Sequence, residues 1–354
     1  MSEGGDPRAA ARLRSGHPEI SWSIVLDLAV ELPVDPAEAT RRLRAGWPVD
    51  ELGPPPQATE GPPAAASDRL EALADRPYRS GEPRCRIEVV TEPSPRLRVA
   101  AHHAYLDGMG TLAAASLTLG RPLATTIKGI GPGFDRRPAG PAYVARRFVE
   151  AMLVPPARFA PDRRTREPGD HLLELPGPAI SVSAPDVIAA AARALVRWNR
   201  RRGRGARRIV VAVGASRRPG SRPTLAEESA WFRFRVERPD PAVIRRTLER
   251  AAPEPAGSAS MTGRVASRMA ELLSPRTGSS MLLSNLGRVE DAGPIAHGAF
   301  YPAVHGRSGI GVGVVTVNET LTLTLRARRS EFTREAAETI LRSIAEELAI
   351  GPAP

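Results

Sequence analysis

The sequence contains almost no cysteine and almost no lysine. Among its 354 residues, Cys85 is the single cysteine and Lys128 the single lysine, so arginine carries nearly all of the basic charge. One cysteine excludes an internal disulfide framework and fits a reducing compartment. No apolar run is long enough to span a bilayer, and the N-terminal stretch has no apolar region of the kind that export signals carry. We therefore expect a cytoplasmic protein without a transmembrane segment.

Aromatic residues are also scarce, at 4% of a chain whose formal net charge is +11. A basic balance of this size is compatible with nucleic acid or with anionic small molecules. The arginines are spread along the sequence, and the densest run, WNRRRGRGARR at 198–208, lacks the interleaved aromatics of nucleic-acid-binding segments. Two interpretations of this run stay open: a solvated helix end with its loop, or a basic rim for a phosphate-bearing ligand. We do not expect nucleic-acid binding.

Hydrophobic periodicity predicts a mixed α/β protein, and 42% of the residues are hydrophobic, enough for a substantial core. Apolar and alternating runs predict strands at 20–32, 85–92, 96–103, 207–215, 229–237, 279–287 and 310–328, the last being two strands around a turn at Asn318-Glu319. Helical spacing and caps predict helices after Asp35-Pro36, at 111–119, at 141–153, at 183–201 and after Thr333. The elements alternate too irregularly for a regular βαβ series.

Two proline-rich segments interrupt this pattern, the first also rich in alanine and glycine and the second rich in charge. Residues 53–67, GPPPQATEGPPAAAS, predict a flexible connection, and residues 154–170 predict a second one. Because periodicity disappears in the second segment, we place a boundary there. The sequence predicts an N-terminal lobe at 1–160 and a C-terminal lobe at 161–354.

A histidine doublet, His102 and His103, stands at the exit of a predicted strand, ahead of Asp107 and Gly108. A zinc site needs three or four ligands, and neighbouring side chains of a strand point to opposite faces, so no metal site is expected. His103 could instead act as a general base, with Asp107 ordering the loop or binding an arginine and Gly108 permitting a tight backbone path. Spacing alone leaves catalysis and ordinary packing open.

The stretch HHAYLDG at 102–108 resembles the HHxxxDG motif of the CoA-dependent acyltransferase superfamily. That superfamily includes chloramphenicol acetyltransferase, plant BAHD enzymes, nonribosomal peptide condensation domains, wax ester synthases and polyketide-associated acyltransferases. Segments of the C-terminal half resemble other family elements, namely the helix at 182–198, the "VPVSLR" strand at 208–218, the "SNLG" strand at 282–290 and the closing strands and helix at 311–340. The plant "DFGWG" motif is absent, which disfavours a BAHD enzyme.

The resemblance implies two chloramphenicol-acetyltransferase-like lobes, each a mixed sheet packed with helices, with an active-site tunnel between them. It implies that His103 is the general base, that His102 is structural and that Asp107 pairs with an arginine, for which Arg288 after SNLG is our candidate. Ser284 or Asn285 could donate a hydrogen bond to the tetrahedral oxyanion, or could simply be polar residues at a strand end.

The function implied is that of a bacterial acyltransferase of secondary metabolism, without a tightly bound cofactor. It would move an acyl group from a CoA or carrier-protein phosphopantetheine thioester to a hydroxyl or amine of a small molecule. A stand-alone condensation-type enzyme acting on carrier-bound substrates is one alternative. A catalytically degenerate binding or partner module of the same fold is another, because the segment before the motif is shorter than in the family.

Overall fold

The structure is a computed structural model, and it describes residues 23–61, 66–79, 81–91, 94–130, 141–218, 220–254, 278–290, 292–304 and 309–350. In chain order its strands are β1 (Ser23–Val30), β2 (Ala58–Glu60), β3 (Cys85–Val90), β4 (Arg96–His102), β5 (Ala124–Thr125), β6 (Asp170–Pro178), β7 (Ile209–Ser216), β8 (Ser229–Val236), β9 (Met281–Glu290), β10 (Ile295–Tyr301), β11 (Ile310–Val317) and β12 (Thr320–Arg328). Its helices are α1 (Pro36–Gly46), α2 (Val49–Leu52), α3 (Ala66–Asp75), α4 (Gly108–Leu119), α5 (Pro141–Leu153), α6 (Ala184–Arg201), α7 (Pro241–Arg250) and α8 (Arg334–Glu347).

The first sheet has five strands in the order β10-β1-β4-β3-β2. β1 and β4 lie inside it, and their apolar side chains are buried almost completely. α1 and α4 pack on this sheet, and Leu26 of β1, Leu43 of α1 and Leu112 of α4 meet in one core cluster. α1 begins at Asp35, whose carboxylate accepts hydrogen bonds from the backbone of the first turn, with Pro36 in the favoured place behind it.

The second sheet has seven strands, with the path β6-β12-β11-β9-β7-β8 and the short β5 added beside β9. α6 and α8 pack against this sheet and complete its hydrophobic core. Val187, Ile188 and Leu195 of α6 are buried, as their helical spacing predicts, and Ile340 and Ile344 of α8 lie in the same cluster. Thr333 caps α8 through a hydrogen bond from Ala336 N–H to its hydroxyl.

Each sheet takes a strand from the other half of the chain. β10, from the C-terminal half, is an edge of the first sheet and pairs antiparallel with β1, with Val25 opposite Tyr301. β5, from the N-terminal half, pairs with β9 of the second sheet. The boundary between residues 160 and 161 stays a prediction, because the two sheets do not divide cleanly at that point in the sequence.

The predicted mixed α/β class is confirmed, and so are the predicted strands and helices named above, with shifts of a few residues at their ends. The prediction of a flexible connection at 53–67 is wrong at 58–60, because β2 pairs there in parallel with β3, and at 66–67, where α3 begins. Residues 62–65 of this segment lie outside the described residues. A three-residue strand is too short for its periodicity to be read from sequence. In the parts of the chain that the structure describes, no helix combines the length and apolar character needed to cross a membrane.

Candidate active site

The histidine doublet marks the point at which β4 ends and the chain turns. His102 still belongs to the sheet, since its N–H donates to the Arg84 carbonyl at 2.9 Å. Its own carbonyl accepts hydrogen bonds from Tyr105 N–H at 2.9 Å and Leu106 N–H at 3.2 Å. This tight turn brings His103 out of the strand and leads the chain directly into α4.

His102 is held as a neutral packing residue. Its Nδ1 accepts a hydrogen bond from Ala104 N–H at 3.2 Å, and its ring meets Tyr78 and Tyr105 edge to face, with centroids 5.4 and 5.7 Å away. Burial, together with the positive charge of Arg84, lowers the pKa of His102 to about 4. The ring is therefore uncharged at neutral pH.

His103 lies in different surroundings, as the alternation of side chains along a strand predicts. Its ring meets Trp231 of β8, in the other sheet, with centroids 5.4 Å apart. Its Nδ1 lies 3.3 Å from the Leu106 carbonyl oxygen. Because a carbonyl oxygen only accepts, this contact places the proton of a neutral imidazole on Nδ1 and the lone pair on Nε2.

Asp107 ties the start of α4 to the second sheet. One carboxylate oxygen caps the helix by accepting from Gly110 N–H at 2.8 Å. The other accepts from Glu228 N–H at 3.0 Å and pairs with the Arg218 guanidinium at 2.7 Å. Asp107 and Arg218 are only 3% and 2% exposed, so this is a buried ion pair.

The arginine partner predicted for Asp107 was wrong. Arg288 donates instead to the Asn318 carbonyl in an exposed position, because it follows a kink at Gly287 that turns its side chain to the surface. Arg218 is the partner. It ends the segment at 208–218, whose resemblance to the "VPVSLR" strand was the signal that could have found it.

Every nitrogen of the Arg218 guanidinium has a partner. Nε donates to Thr224 Oγ1 at 2.7 Å, Nη1 to Asp107 and to Ser216 Oγ, and Nη2 to the carbonyls of Thr224 and Ala226 at 3.0 and 2.8 Å. The side chain thus holds the loop between β7 and β8 against the first turn of α4.

Gly108 is required for space rather than for an unusual backbone angle. It is not among the described glycines with positive φ. A Cβ built on Gly108 would lie 2.9 Å from side-chain atoms of both Leu286 and Phe300, which is closer than such contacts occur. The tight path expected at this residue is therefore a close approach of α4 to β9 and β10.

A cavity of about 60 Å³ lies beside His103. Both halves of the chain line it, since His103, Asp107 and Gly108 of the motif face Gly214, Trp231, Ser284 and Asn285. Asn285 Oδ1 accepts from Gly287 N–H at 2.7 Å, which orients the amide and makes Nδ2 its donor end. Apart from Arg288, the structure therefore brings the predicted site residues together, with His102 behind the cavity as a packing residue.

The cavity is small for an acyl-transfer tunnel. Sixty cubic ångströms accommodate a few non-hydrogen atoms, and His103 is 9% exposed. Among the described residues, no three His, Cys, Asp or Glu side chains lie close enough together to hold a metal ion.

Solved structures with the same fold come from nonribosomal peptide synthesis. A variant of the starter condensation domain of rhizomide synthetase RzmA, in complex with C8-CoA, has a TM-score of 0.59 at 13% identity, over 99% of this chain and 94% of that one. The first condensation domain of the calcium-dependent antibiotic synthetase, in complex with a substrate analogue, has a TM-score of 0.57 at 14% identity, over 99% and 97%. In sequence, the chain matches no family model and no curated protein. The chain has the two-lobed fold of condensation domains, which is the fold that the HHxxxDG resemblance predicts.

Proposed function

We propose that this chain, which has the condensation-domain fold, is an acyltransferase that uses His103 as its general base. The observation that carries the proposal is the placement of the His103 ring. Its Nδ1 contacts the Leu106 carbonyl, and its ring lies in a cavity that Ser284 and Asn285 also line. A neutral imidazole oriented in this way carries its lone pair on Nε2, the nitrogen that can accept a proton.

The reaction would proceed without a covalent acyl-enzyme. Nε2 of His103 removes the proton from the hydroxyl or amine of the acceptor as that atom attacks the thioester carbonyl. The tetrahedral oxyanion accepts hydrogen bonds from Ser284 Oγ or Asn285 Nδ2. When the intermediate collapses, the carbon–sulfur bond breaks and the thiolate takes the proton from the imidazolium. Asp107, paired with Arg218, holds the turn that carries His103 and is a positioning residue.

The thioester donor is a CoA or carrier-protein conjugate. Support comes from the solved starter condensation domain of the same fold, which is in complex with C8-CoA. The small cavity favours a short acyl group over a C8 chain, since about 60 Å³ holds only a few atoms.

The test is thiol release from acyl-CoA and acyl-carrier donors with small primary amines and alcohols as acceptors. We expect His103→Ala to lower turnover by about 10²- to 10⁴-fold while the protein stays folded. His297→Gln is the matched control, because His297 lies outside the cavity and contacts Thr322 Oγ1 at 3.0 Å, a bond that glutamine can replace. Undiminished turnover in the His103 variant would remove the base assignment.

A second candidate function is a non-catalytic binding or partner module, and the size of the cavity favours it. A thioester and an acceptor must both reach His103, and the space beside it is about 60 Å³. This candidate predicts that the unaltered protein releases no thiol with any donor, whereas the acyltransferase releases thiol with short acyl donors. The same assay on the unaltered protein therefore decides between the two.

A further inference from the structure

A second cavity, far larger than the one at His103, is lined by arginine. It has a volume of about 790 Å³ and lies between residues 154–165, residues 199–208 and the turn at 330–331. Five arginines line it, against the single carboxylate of Glu331, and we call it the arginine cavity: Arg158, Arg164, Arg204, Arg207 and Arg208. Another large cavity, of about 520 Å³ beside α8, has three carboxylates and three arginines in its walls. The excess of positive charge distinguishes the arginine cavity from that one.

One buried side chain holds the walls of the arginine cavity in place. Asn199, 2% exposed at the end of α6, donates from Nδ2 to the carbonyls of Arg158 at 2.8 Å and Gly205 at 3.4 Å. Its Oδ1 accepts from Ala160 N–H at 2.8 Å. A backbone bond of 2.7 Å from Ala157 N–H to the Arg208 carbonyl joins the same two segments. The loops that carry the arginines are thus fixed to each other without a ligand.

Within the described part of the chain, three of the five arginines of the arginine cavity have no carboxylate partner. Arg208 pairs with Glu150 at 3.0 Å. For Arg164, Arg204 and Arg207, the structure gives no carboxylate within 4.0 Å among the residues it describes, and all three are exposed. Guanidinium groups bind phosphate oxygens in pairs of hydrogen bonds, so an unneutralised cluster of this kind fits a phosphorylated ligand.

The shape and lining of the arginine cavity favour a small molecule over a nucleic acid. Its volume is in the range that encloses a ligand of drug or nucleotide size. Its aromatic lining residue, Phe159, is 2% exposed and packs inward, so it offers no ring face on which bases could stack. Part of the basic run at 198–208 forms one wall of this cavity, which supports its interpretation as a basic rim over that as a solvated helix end.

We propose that the arginine cavity binds a small molecule carrying two or more phosphate groups. The site is separate from the proposed acyl-transfer site, because the two cavities share no lining residue. Arg208 of one lining precedes β7 and Gly214 of the other lies six residues along, so at 3.3 Å per residue these two residues are roughly 20 Å apart. A diphosphate could belong to a free nucleotide or to the nucleotide end of CoA, and binding measurements distinguish these sources.

The test is calorimetric titration with inorganic pyrophosphate, ADP and CoA. We expect the double variant Arg204→Glu/Arg207→Glu to weaken pyrophosphate binding by about tenfold or more, because charge-assisted hydrogen bonds are lost and repulsion is added. The matched control is Arg245→Glu/Arg246→Glu on the exposed side of α7, which makes the same change in net charge away from the cavity and should leave binding unchanged. Binding by CoA but not by ADP would assign the site to the thioester donor, and equal binding would assign it to nucleotides in general; both support the proposal.

Three results would overturn this proposal. They are no measurable binding of any of the three probes, equal weakening in the cavity and control variants, and tight binding of an RNA duplex that pyrophosphate does not displace. His103→Ala should bind pyrophosphate like the unaltered protein. Failure of acyl transfer and failure of the anion site therefore give different results.

Discussion

His102 and His103 are adjacent, yet their surroundings give them opposite properties. The backbone N–H of Ala104 and two tyrosine rings surround His102, and burial with a nearby guanidinium disfavours its charged form. His103 is oriented by a carbonyl oxygen and lies at the cavity. One histidine is thus kept neutral, and the other is the general base that we propose.

His102 should make folding stability depend on acidity. Its pKa is about 4 in the folded protein, against an ordinary value of 6.5, so between these values the unfolded chain binds a proton that the folded chain does not. Stability from this group is therefore complete above pH 6.5 and falls as the pH drops towards 4, by up to about 3 kcal/mol.

The variant His102→Asn keeps a neutral hydrogen-bond acceptor but cannot titrate in this range. We expect its free energy of unfolding in urea to change less between pH 7 and pH 4 than that of the unaltered protein, by about 2–3 kcal/mol. The comparison uses the slope with pH, so a uniform loss of packing energy does not affect it. Parallel pH profiles for the two proteins would contradict the prediction.

At the scale of elements, Asp107 connects α4 to the loop between β7 and β8. Its carboxylate caps the helix, accepts a backbone N–H from Glu228 and balances the buried charge of Arg218. The cap and the charge can be separated by substitution, because asparagine keeps an acceptor oxygen for Gly110 N–H but carries no charge.

We expect Asp107→Asn to lower the free energy of unfolding by about 3 kcal/mol, since it removes the nearer of the two carboxylates beside a buried guanidinium and leaves only Glu228, at 3.7 Å. Arg218→Met should also destabilise the protein. The double variant Asp107→Asn/Arg218→Met should lose less than the sum of the single variants, because neither charge is then left alone. The free energies of unfolding of the unaltered protein, the two single variants and the double variant, measured in urea, form a double-mutant cycle. Simple additivity of the two single effects would show that the pair is not coupled.

The elements with strong periodicity could be predicted from the sequence. α6 and the pair β11–β12 follow their hydrophobic pattern within a few residues, because burial of one face dictates their periodicity. β2 and β10 were missed for different reasons. β2 has three residues, and β10 carries polar and small residues such as His297 and Gly298 in the middle of its run. The partner of β10, which lies some 270 residues earlier in the chain, is not a local property of the sequence.

The candidate site was predictable as a set of residues but not as a set of contacts. The motif identified His103 and Asp107, and the resemblance of the SNLG strand identified Ser284 and Asn285. The choice of Arg218 over Arg288 depends on which strand carries its side chain inward, and that is decided by sheet order and by the turn at Gly287. The volume of the cavity is likewise a result of packing between distant segments.

At the scale of the whole molecule, the two sheets are joined through a fully buried arginine. Arg326 of β12 donates from Nε to Asp170 at 2.6 Å, at the start of β6. Its Nη1 donates to the carbonyl of Ser23, where β1 of the other sheet begins. The side chain thus contacts both sheets at once.

We expect Arg326→Met to lower the free energy of unfolding by about 3–5 kcal/mol, because the carboxylate of Asp170 would be left in a buried position without the guanidinium that it pairs with. Arg342→Met is the control. Arg342 lies on the outer face of α8 with its side chain 60% exposed, so its replacement should change stability by about 0.5 kcal/mol or less. Equal effects of the two substitutions in urea unfolding would contradict a joining role for Arg326.

The position of β10 beside β1 also sets an order for events on the ribosome. β1 and β4 can pair soon after residue 102 emerges, but the first sheet is incomplete until Tyr301 has been made. At about 5–20 residues per second, that interval is roughly 10–40 s. During this time the edge of β1 that β10 later covers is open to other strands, so a chaperone that shields exposed strand edges would act on the nascent chain in this interval.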